Sequence, residues 1–138
     1  MRVYTMPDAF SIILDEIAED VYRRLGKRSN ASVKLIPFNP TILGYVKAND
    51  YTIYLNSIPF GLVKNDPIKS REYLYVVLLH EYLHLVGIAD EREVRKITTE
   101  IIAQKFGKTS YAYSLAEKLT DPIDLHLMNK GIRPSMYM

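Results

Sequence analysis

The sequence contains no cysteine, and this absence excludes a disulfide scaffold, a thiolate zinc site and a cysteine nucleophile. Any transition metal would therefore have to be bound by histidine, aspartate or glutamate. No apolar run reaches the roughly 20 residues that cross a bilayer. The first twenty residues carry acids where a signal peptide needs an apolar core. We therefore expect a protein without a membrane span that stays in the cytoplasm.

The chain also lacks a strong excess of either charge. Its formal net charge is +2, and 48% of its 138 residues are hydrophobic. Such a composition is typical of a globular protein, and the small positive charge does not indicate a nucleic-acid partner. The length fits one domain, residues 1–138. The sequence does not predict an oligomeric state.

Hydrophobic periodicity and capping residues predict an α+β fold. Apolar residues at helical spacing indicate an N-terminal helix over 8–25. Three short β-branched and aromatic segments within 31–57 then indicate a small, three-stranded antiparallel sheet, with a hairpin turn at Asn49-Asp50. Asp66-Pro67 is typical of a helix start, and that long helix should end at Gly87.

Two further helices and a tail complete the predicted fold. One helix should begin near Asp90 and end at Gly107, and a C-terminal helix should cover 110–119. Residues 121–138 show no sustained period. We expect a tail that is either docked on the rest of the chain or mobile.

The long helix carries a metal-binding pattern. His80, Glu81 and His84 form an HExxH sequence inside an apolar segment. A buried, uncompensated carboxylate would cost several kcal/mol, whereas a divalent cation would compensate it. Histidines at i and i+4 project from one helix face and reach one zinc, and Glu81 then lies beside a metal-bound water. The sequence thus predicts a zinc site with Glu81 as general base.

A catalytic zinc needs a third protein ligand. The acids that follow the HExxH pattern are the candidates, and they are Asp90, Glu91, Glu93 and Glu100. Asp90 is also well placed to cap a helix, a role that needs no metal.

Two resemblances bear on this choice. With Asp90, the pattern HExxHxxGxxD is similar to aspartate-ligand metzincins. The stretch EREVRKITTEII is similar to the glutamate helix of ImmA/IrrE-type peptidases, whose metal ligand matches Glu93. The whole arrangement over residues 50–107 resembles the minigluzincins, small archaeal zinc peptidases. This resemblance implies a zincin-like fold, a peptide or protein substrate and Glu93 as third ligand, with Asp90 as the alternative.

The resemblance to minigluzincins also implies roles outside the metal site. The strand before the metal helix would bind extended substrate by strand addition, which points to Tyr51, Ile53 and Leu55. The tail 121–138 would lie over the cleft and keep a precursor latent. The candidates for stabilising the oxyanion are Tyr111, Tyr113, Arg95 and His126.

Two other functions stay open at this point. The stretch HLVGIAD is similar to part of the YbeY-type metal-dependent RNA hydrolases, although that family has glycine at the position of Glu81 and places three histidines on its metal. The third possibility is a non-catalytic regulator that keeps the zincin fold for partner binding. An intact Glu81 argues against it, because a purely structural zinc site has no need of a general base.

Overall fold

Helix α1 (Ala9–Leu25) opens the part of the chain that the computed structural model describes, residues 8–119. Asp8 caps it by accepting a hydrogen bond from the backbone N–H of Ser11 at 2.8 Å. Gly26 ends it in the left-handed conformation, with φ of 69°. The buried face consists of Ile13, Leu14, Ile17 and Val21. The predicted N-terminal helix is confirmed.

The sheet has three strands, β1 (Ser32–Ile36), β2 (Gly44–Tyr45) and β3 (Thr52–Asn56), in the order β1-β3-β2. The α+β class and the strand number agree with the prediction. The fully antiparallel arrangement does not, because β1 runs parallel to β3 and only β2 is antiparallel to it. The sheet is mixed, and β3 is its central strand.

Asn56 explains how β1 comes to lie on the far side of β3. Its buried amide donates to the backbone carbonyls of Phe38, Asn39 and Ile42, at 3.2, 2.9 and 2.8 Å. The segment after β1 is thereby held at the end of β3, and the chain then returns as β2. The β2–β3 hairpin forms as predicted, with Asn49 at a positive φ of 63°.

Helix α2 (Ser57–Gly61) is a single short turn that the sequence analysis did not predict. Helix α3 (Pro67–Leu85) begins as predicted, with the Asp66 carboxylate accepting from two backbone N–H groups. Every residue of α3 from 73 to 83 is buried. This helix is the centre of the core, and α1, α4, α5 and the sheet pack around it.

Helices α4 (Glu91–Phe106) and α5 (Tyr111–Lys118) complete the fold close to their predicted bounds. Gly87, with φ of 108°, forms the turn between α3 and α4. Within residues 8–119, no helix is long and apolar enough to cross a membrane. The predicted tail, 121–138, lies outside the described residues, and so does His126.

Candidate metal centre

Three side chains from two helices meet in the core. The Nε2 atom of His80 lies 2.5 Å from Oε1 of Glu91, and Nε2 of His84 lies 3.0 Å from Oε2 of the same carboxylate. One potential ligand atom from each residue lies within 4.8 Å of the others. All three side chains are 6% exposed or less. The two histidines and Glu91 therefore form one enclosed group, which we call the HHE group.

The local sequence accounts for this convergence. His80 and His84 are one turn apart on α3, so their side chains lie on the same face. The turn at Gly87 reverses the chain, and Asp90 caps α4 by accepting a hydrogen bond from Arg92 N–H at 2.9 Å. Glu91 is consequently the first residue of α4, and its side chain reaches the histidines on α3.

A backbone contact fixes the orientation of one histidine. Nδ1 of His84 lies 2.8 Å from the carbonyl oxygen of Ile88. A carbonyl only accepts, so Nδ1 carries the hydrogen, and the lone pair of a neutral imidazole is then on Nε2. Metal-binding histidines characteristically donate their second ring hydrogen in this way. His84 is thus oriented with its free nitrogen toward Glu91.

The hydrogen bonding of the HHE group is incomplete within residues 8–119. Both Nε2 atoms and both Glu91 carboxylate oxygens are buried without a hydrogen bond of acceptable geometry, although they lie close together. Buried polar atoms normally have such partners, and each exception needs a cause. Two imidazole nitrogens and a carboxylate aimed at one another fit the ligand set of a divalent transition metal. The residues present therefore fit a metal ion.

The electrostatics of the group agree with this interpretation. Burial lowers the pKa of His80, although the neighbouring Glu91 opposes the shift. His80 is thereby favoured in the neutral form that binds metals. Burial alone would raise the pKa of Glu91, but its contacts with His80 and His84 outweigh burial and lower it to about 2. Arg95 adds positive charge, since its Nη2 lies 3.8 Å from Glu91 Oε1.

Glu81 lies beside the group without belonging to it. Its side chain is fully buried, and neither carboxylate oxygen has a hydrogen-bond partner among the residues that the structure describes. Burial, followed by repulsion from Glu91, raises its pKa well above the usual 4.5. A strongly shifted acid next to a metal-binding group marks a candidate proton carrier.

The third acid differs from the one that the sequence analysis favoured. The structure brings Glu91 to the histidines, whereas Glu93 is exposed. Two residues along a helix correspond to a rotation of about 200°, so Glu91 and Glu93 point to nearly opposite sides of α4. The alternative, Asp90, is exposed and caps the helix. Glu100 is paired with Arg24. The structure thus does not bring the predicted ligand Glu93 to the histidines, and Glu91 is the acid that lies with them.

The predicted substrate strand is also corrected. Ile53 and Leu55 are fully buried in β3, which pairs with β1 along its whole length and with β2 at Tyr54 and Leu55. Tyr51 is 55% exposed and precedes β3. The central position of β3 in the sheet therefore argues against strand addition at this strand.

Tyr51 does line a cavity that reaches the HHE group. This cavity, of about 370 Å³, lies between the β2–β3 hairpin and the α3–α4 turn, and its walls include Val46, Tyr51, His84 and Ile88. It leaves open space directly beside His84, one of the three residues that could hold a metal ion. The described part of the chain thus combines an enclosed ligand group with an adjacent cleft.

The oxyanion candidates lie at different places. Arg95 is close to Glu91, as described above. The ring of Tyr111 lies 5.8 Å from Lys69 Nζ, about three turns before His80 on α3. Tyr113 is on the same short helix, α5. Arg95 is therefore the candidate that the structure brings near the HHE group.

Neither the models of known protein families nor the curated proteins give a match to this sequence. The site thus has to be interpreted from its own chemistry.

Proposed function

We propose that this protein is a zinc-dependent peptidase in which His80, His84 and Glu91 hold the metal and Glu81 is the general base. The observation that carries the proposal is the HHE group itself, whose buried nitrogen and oxygen atoms face one another without satisfactory hydrogen bonds. Glu81, next in sequence to His80, is buried beside it. This combination supplies three ligands and a separate acid–base group.

The ligand set supports zinc. Two histidines and one glutamate are a known ligand set of catalytic zinc, and they leave a fourth position open for water or substrate. Zinc bound there would polarise a carbonyl group and lower the pKa of a coordinated water toward about 7. The enclosure of His80, His84 and Glu91, each at most 6% exposed, keeps competing water away from the ligands.

Glu81 would move the proton. In its ionised form it accepts a proton from the attacking water and then donates it to the leaving amine nitrogen. Its burial favours the protonated form, but a divalent cation close by would favour the carboxylate. The buried position of Glu81 then protects the proton transfer from bulk solvent.

In this proposal an extended peptide adds at the outer edge of β2, which has no further strand beside it within residues 8–119. The backbone N–H of Asn56 donates to Leu43 at 3.0 Å, so these residues form a hydrogen-bonded pair across β2 and β3. Pairs alternate along an antiparallel ladder, and Gly44 and Leu55 therefore form a non-hydrogen-bonded pair. The N–H and C=O of Gly44 consequently point away from β3. This edge replaces β3 in the proposal for peptide binding.

Three other functions or states of the site would require different residues or contacts. An RNA hydrolase of the kind considered above would need a third histidine, whereas Glu91 occupies that place in the described residues. A non-catalytic regulator would have no use for Glu81. A metal-free ion-pair cluster would account for the contacts of Glu91 with the histidines, but it leaves the carboxylate of Glu81 without a partner among residues 8–119.

Two finer proposals rest on the sequence alone. One is a cytoplasmic location. Latency, in which residues 121–138 cover the cleft, follows from the resemblance to minigluzincins. A folded chain that ends at Thr120 should then cleave peptides faster than the full chain, and an unchanged or lower rate would reject latency.

The proposed activity is tested by peptide cleavage. The full chain, loaded with zinc, should hydrolyse a mixed peptide library, and Glu81→Gln should keep the zinc but lose at least about 100-fold in kcat. Glu93→Gln is the matched control, because Glu93 is exposed and should be dispensable. Equal cleavage by the Glu81→Gln and parental chains would reject Glu81 as the base. A zinc-loaded parental chain that cleaves no peptide would reject the peptidase.

A further inference from the structure

Gly44 lies against the turn of α3 that carries Glu81. It is buried, and a Cβ atom placed on it would come 3.2 Å from Val77 Cγ1 and 3.7 Å from Glu81 Cγ. The same Cβ would come 3.1 Å from the backbone oxygen of Tyr54 on β3. The first and third distances are tighter than nearly all real Cβ contacts, so a side chain here would displace its neighbours by a few tenths of an ångström.

We propose that Gly44 is a positioning residue for Glu81, and this inference rests on the proposed peptidase function. Because Gly44 has no side chain, the edge strand β2 packs directly on α3, against the side chains of Val77 and Glu81. The N–H and C=O of the same residue point away from β3, as described above. Gly44 therefore fixes the spacing between β2 and the helical turn that carries the proton carrier.

Gly44 is proposed to set the distance between β2 and Glu81. The rates of proton transfer and of attack by water on the peptide carbonyl depend strongly on the positions of the reacting groups. Misplacement of a reacting group by about 1 Å can reduce a rate about 100-fold. A shift of a few tenths of an ångström at Gly44 should therefore reduce kcat about tenfold. The metal ligands are not among the atoms nearest to the added Cβ, so zinc content should stay unchanged.

The test compares Gly44→Ala with Gly61→Ala. A Cβ on Gly61 meets nothing within 4 Å, so this control should match the parental chain. Gly44→Ala should bind one zinc, keep KM within about twofold and lose about tenfold in kcat. A parental kcat in folded Gly44→Ala would overturn the proposal.

A double-mutant cycle shows whether Gly44 acts through Glu81. In the Glu81→Gln background, Gly44→Ala should change the residual rate by less than about twofold, because the group that it positions is gone. An equal loss in both backgrounds would assign Gly44 to general structure and overturn the proposal.

A second variant keeps the test possible if Gly44→Ala does not fold. If Gly44→Ala does not fold, the cycle is run on Gly44→Ala/Val77→Ala, with Val77→Ala as the reference chain. The Val77→Ala substitution removes the Cγ1 atom that would lie 3.2 Å from the Cβ that Gly44→Ala adds. If the double variant also fails to fold, Gly44 serves the fold alone and the proposal is wrong.

An infrared measurement separates this proposal from the peptidase proposal. In metal-free protein, the carboxyl band of Glu81 is the band that Glu81→Gln loses. Gly44→Ala should shift this band and Gly61→Ala should not. If the parental chain proves inactive on peptides, the peptidase proposal fails, while a shifted band still supports the positioning of Glu81 by Gly44. An unchanged band overturns it.

Discussion

His84 donates its Nδ1 hydrogen to the carbonyl oxygen of Ile88 across 2.8 Å. The bond joins the last turn of α3 to the loop that leads into α4. One contact therefore fixes both the orientation of the His84 ring and the position of the loop before α4. Gly87, with φ of 108°, allows the loop to turn back sharply enough for this bond. The free Nε2 of His84 and the Glu91 carboxylate therefore face each other as a consequence of the turn.

Glu91→Ala should weaken zinc binding far more than Glu93→Ala. Glu91 contributes a carboxylate within 3.0 Å of both histidine Nε2 atoms, whereas Glu93 is exposed on another side of α4. We expect Glu91→Ala to reduce zinc affinity by at least about 100-fold and Glu93→Ala by less than about threefold. Competition with a chromophoric chelator measures both values. The opposite ranking would restore Glu93 as the third ligand.

Asp90→Ala should behave as the loss of a helix cap. The Asp90 carboxylate accepts from Arg92 N–H at 2.9 Å, and removal of such a cap costs about 1 kcal/mol of unfolding free energy. Asp90→Asn keeps a capping oxygen and is the control, which should stay near the parental stability. Urea denaturation of the metal-free chains measures the difference. A loss of zinc comparable to that of Glu91→Ala would instead make Asp90 a ligand.

Glu16 should contribute to stability only above acid pH. Arg71 donates to both carboxylate oxygens, at 2.9 and 3.0 Å, and Lys105 Nζ lies 2.6 Å away. The hydrogen bond with Arg71 first, and Lys105 with it, lower the pKa of Glu16 from 4.5 to about 2 against the effect of burial. The folded state thus favours the ionised form, and the stabilisation is lost as pH falls from about 4.5 to 2.

This prediction is checked by measuring the free energy of unfolding of the parental chain and of Glu16→Gln at several pH values from about 6 down to about 2. At pH 6 the variant should be less stable by no more than about 1 kcal/mol, because the ion pair is partly exposed to solvent. The difference should shrink steadily below pH 4.5 and vanish near pH 2. A difference that is constant with pH would show that the carboxylate charge is not the cause.

Four of the five helices in the described residues, and their ends, were predictable because their signals are local. Asp66-Pro67 starts α3, and Gly26 ends α1 in the left-handed conformation. The HExxH spacing likewise predicted that His80 and His84 share one face, and both belong to the group that the structure forms. Each of these features depends on residues within a few positions of one another.

Other features depend on distant parts of the chain. The parallel pairing of β1 with β3 depends on Asn56, whose amide holds a segment 14 to 18 residues away. The selection of Glu91 over Glu93 depends on how α4 is rotated against α3, which is set by packing across the core and has no local signature. The short helix α2 includes Pro59 and only five residues, too few for a helical period to be visible.

The central claim is that the HHE group holds zinc, and metal content tests it most directly. The full chain, purified without chelators and dialysed against zinc, should contain one zinc per chain by elemental mass spectrometry. His80→Ala/His84→Ala should contain none, since Glu91 alone cannot hold the ion. A parental chain without stoichiometric zinc, or a double variant that keeps it, would contradict the account.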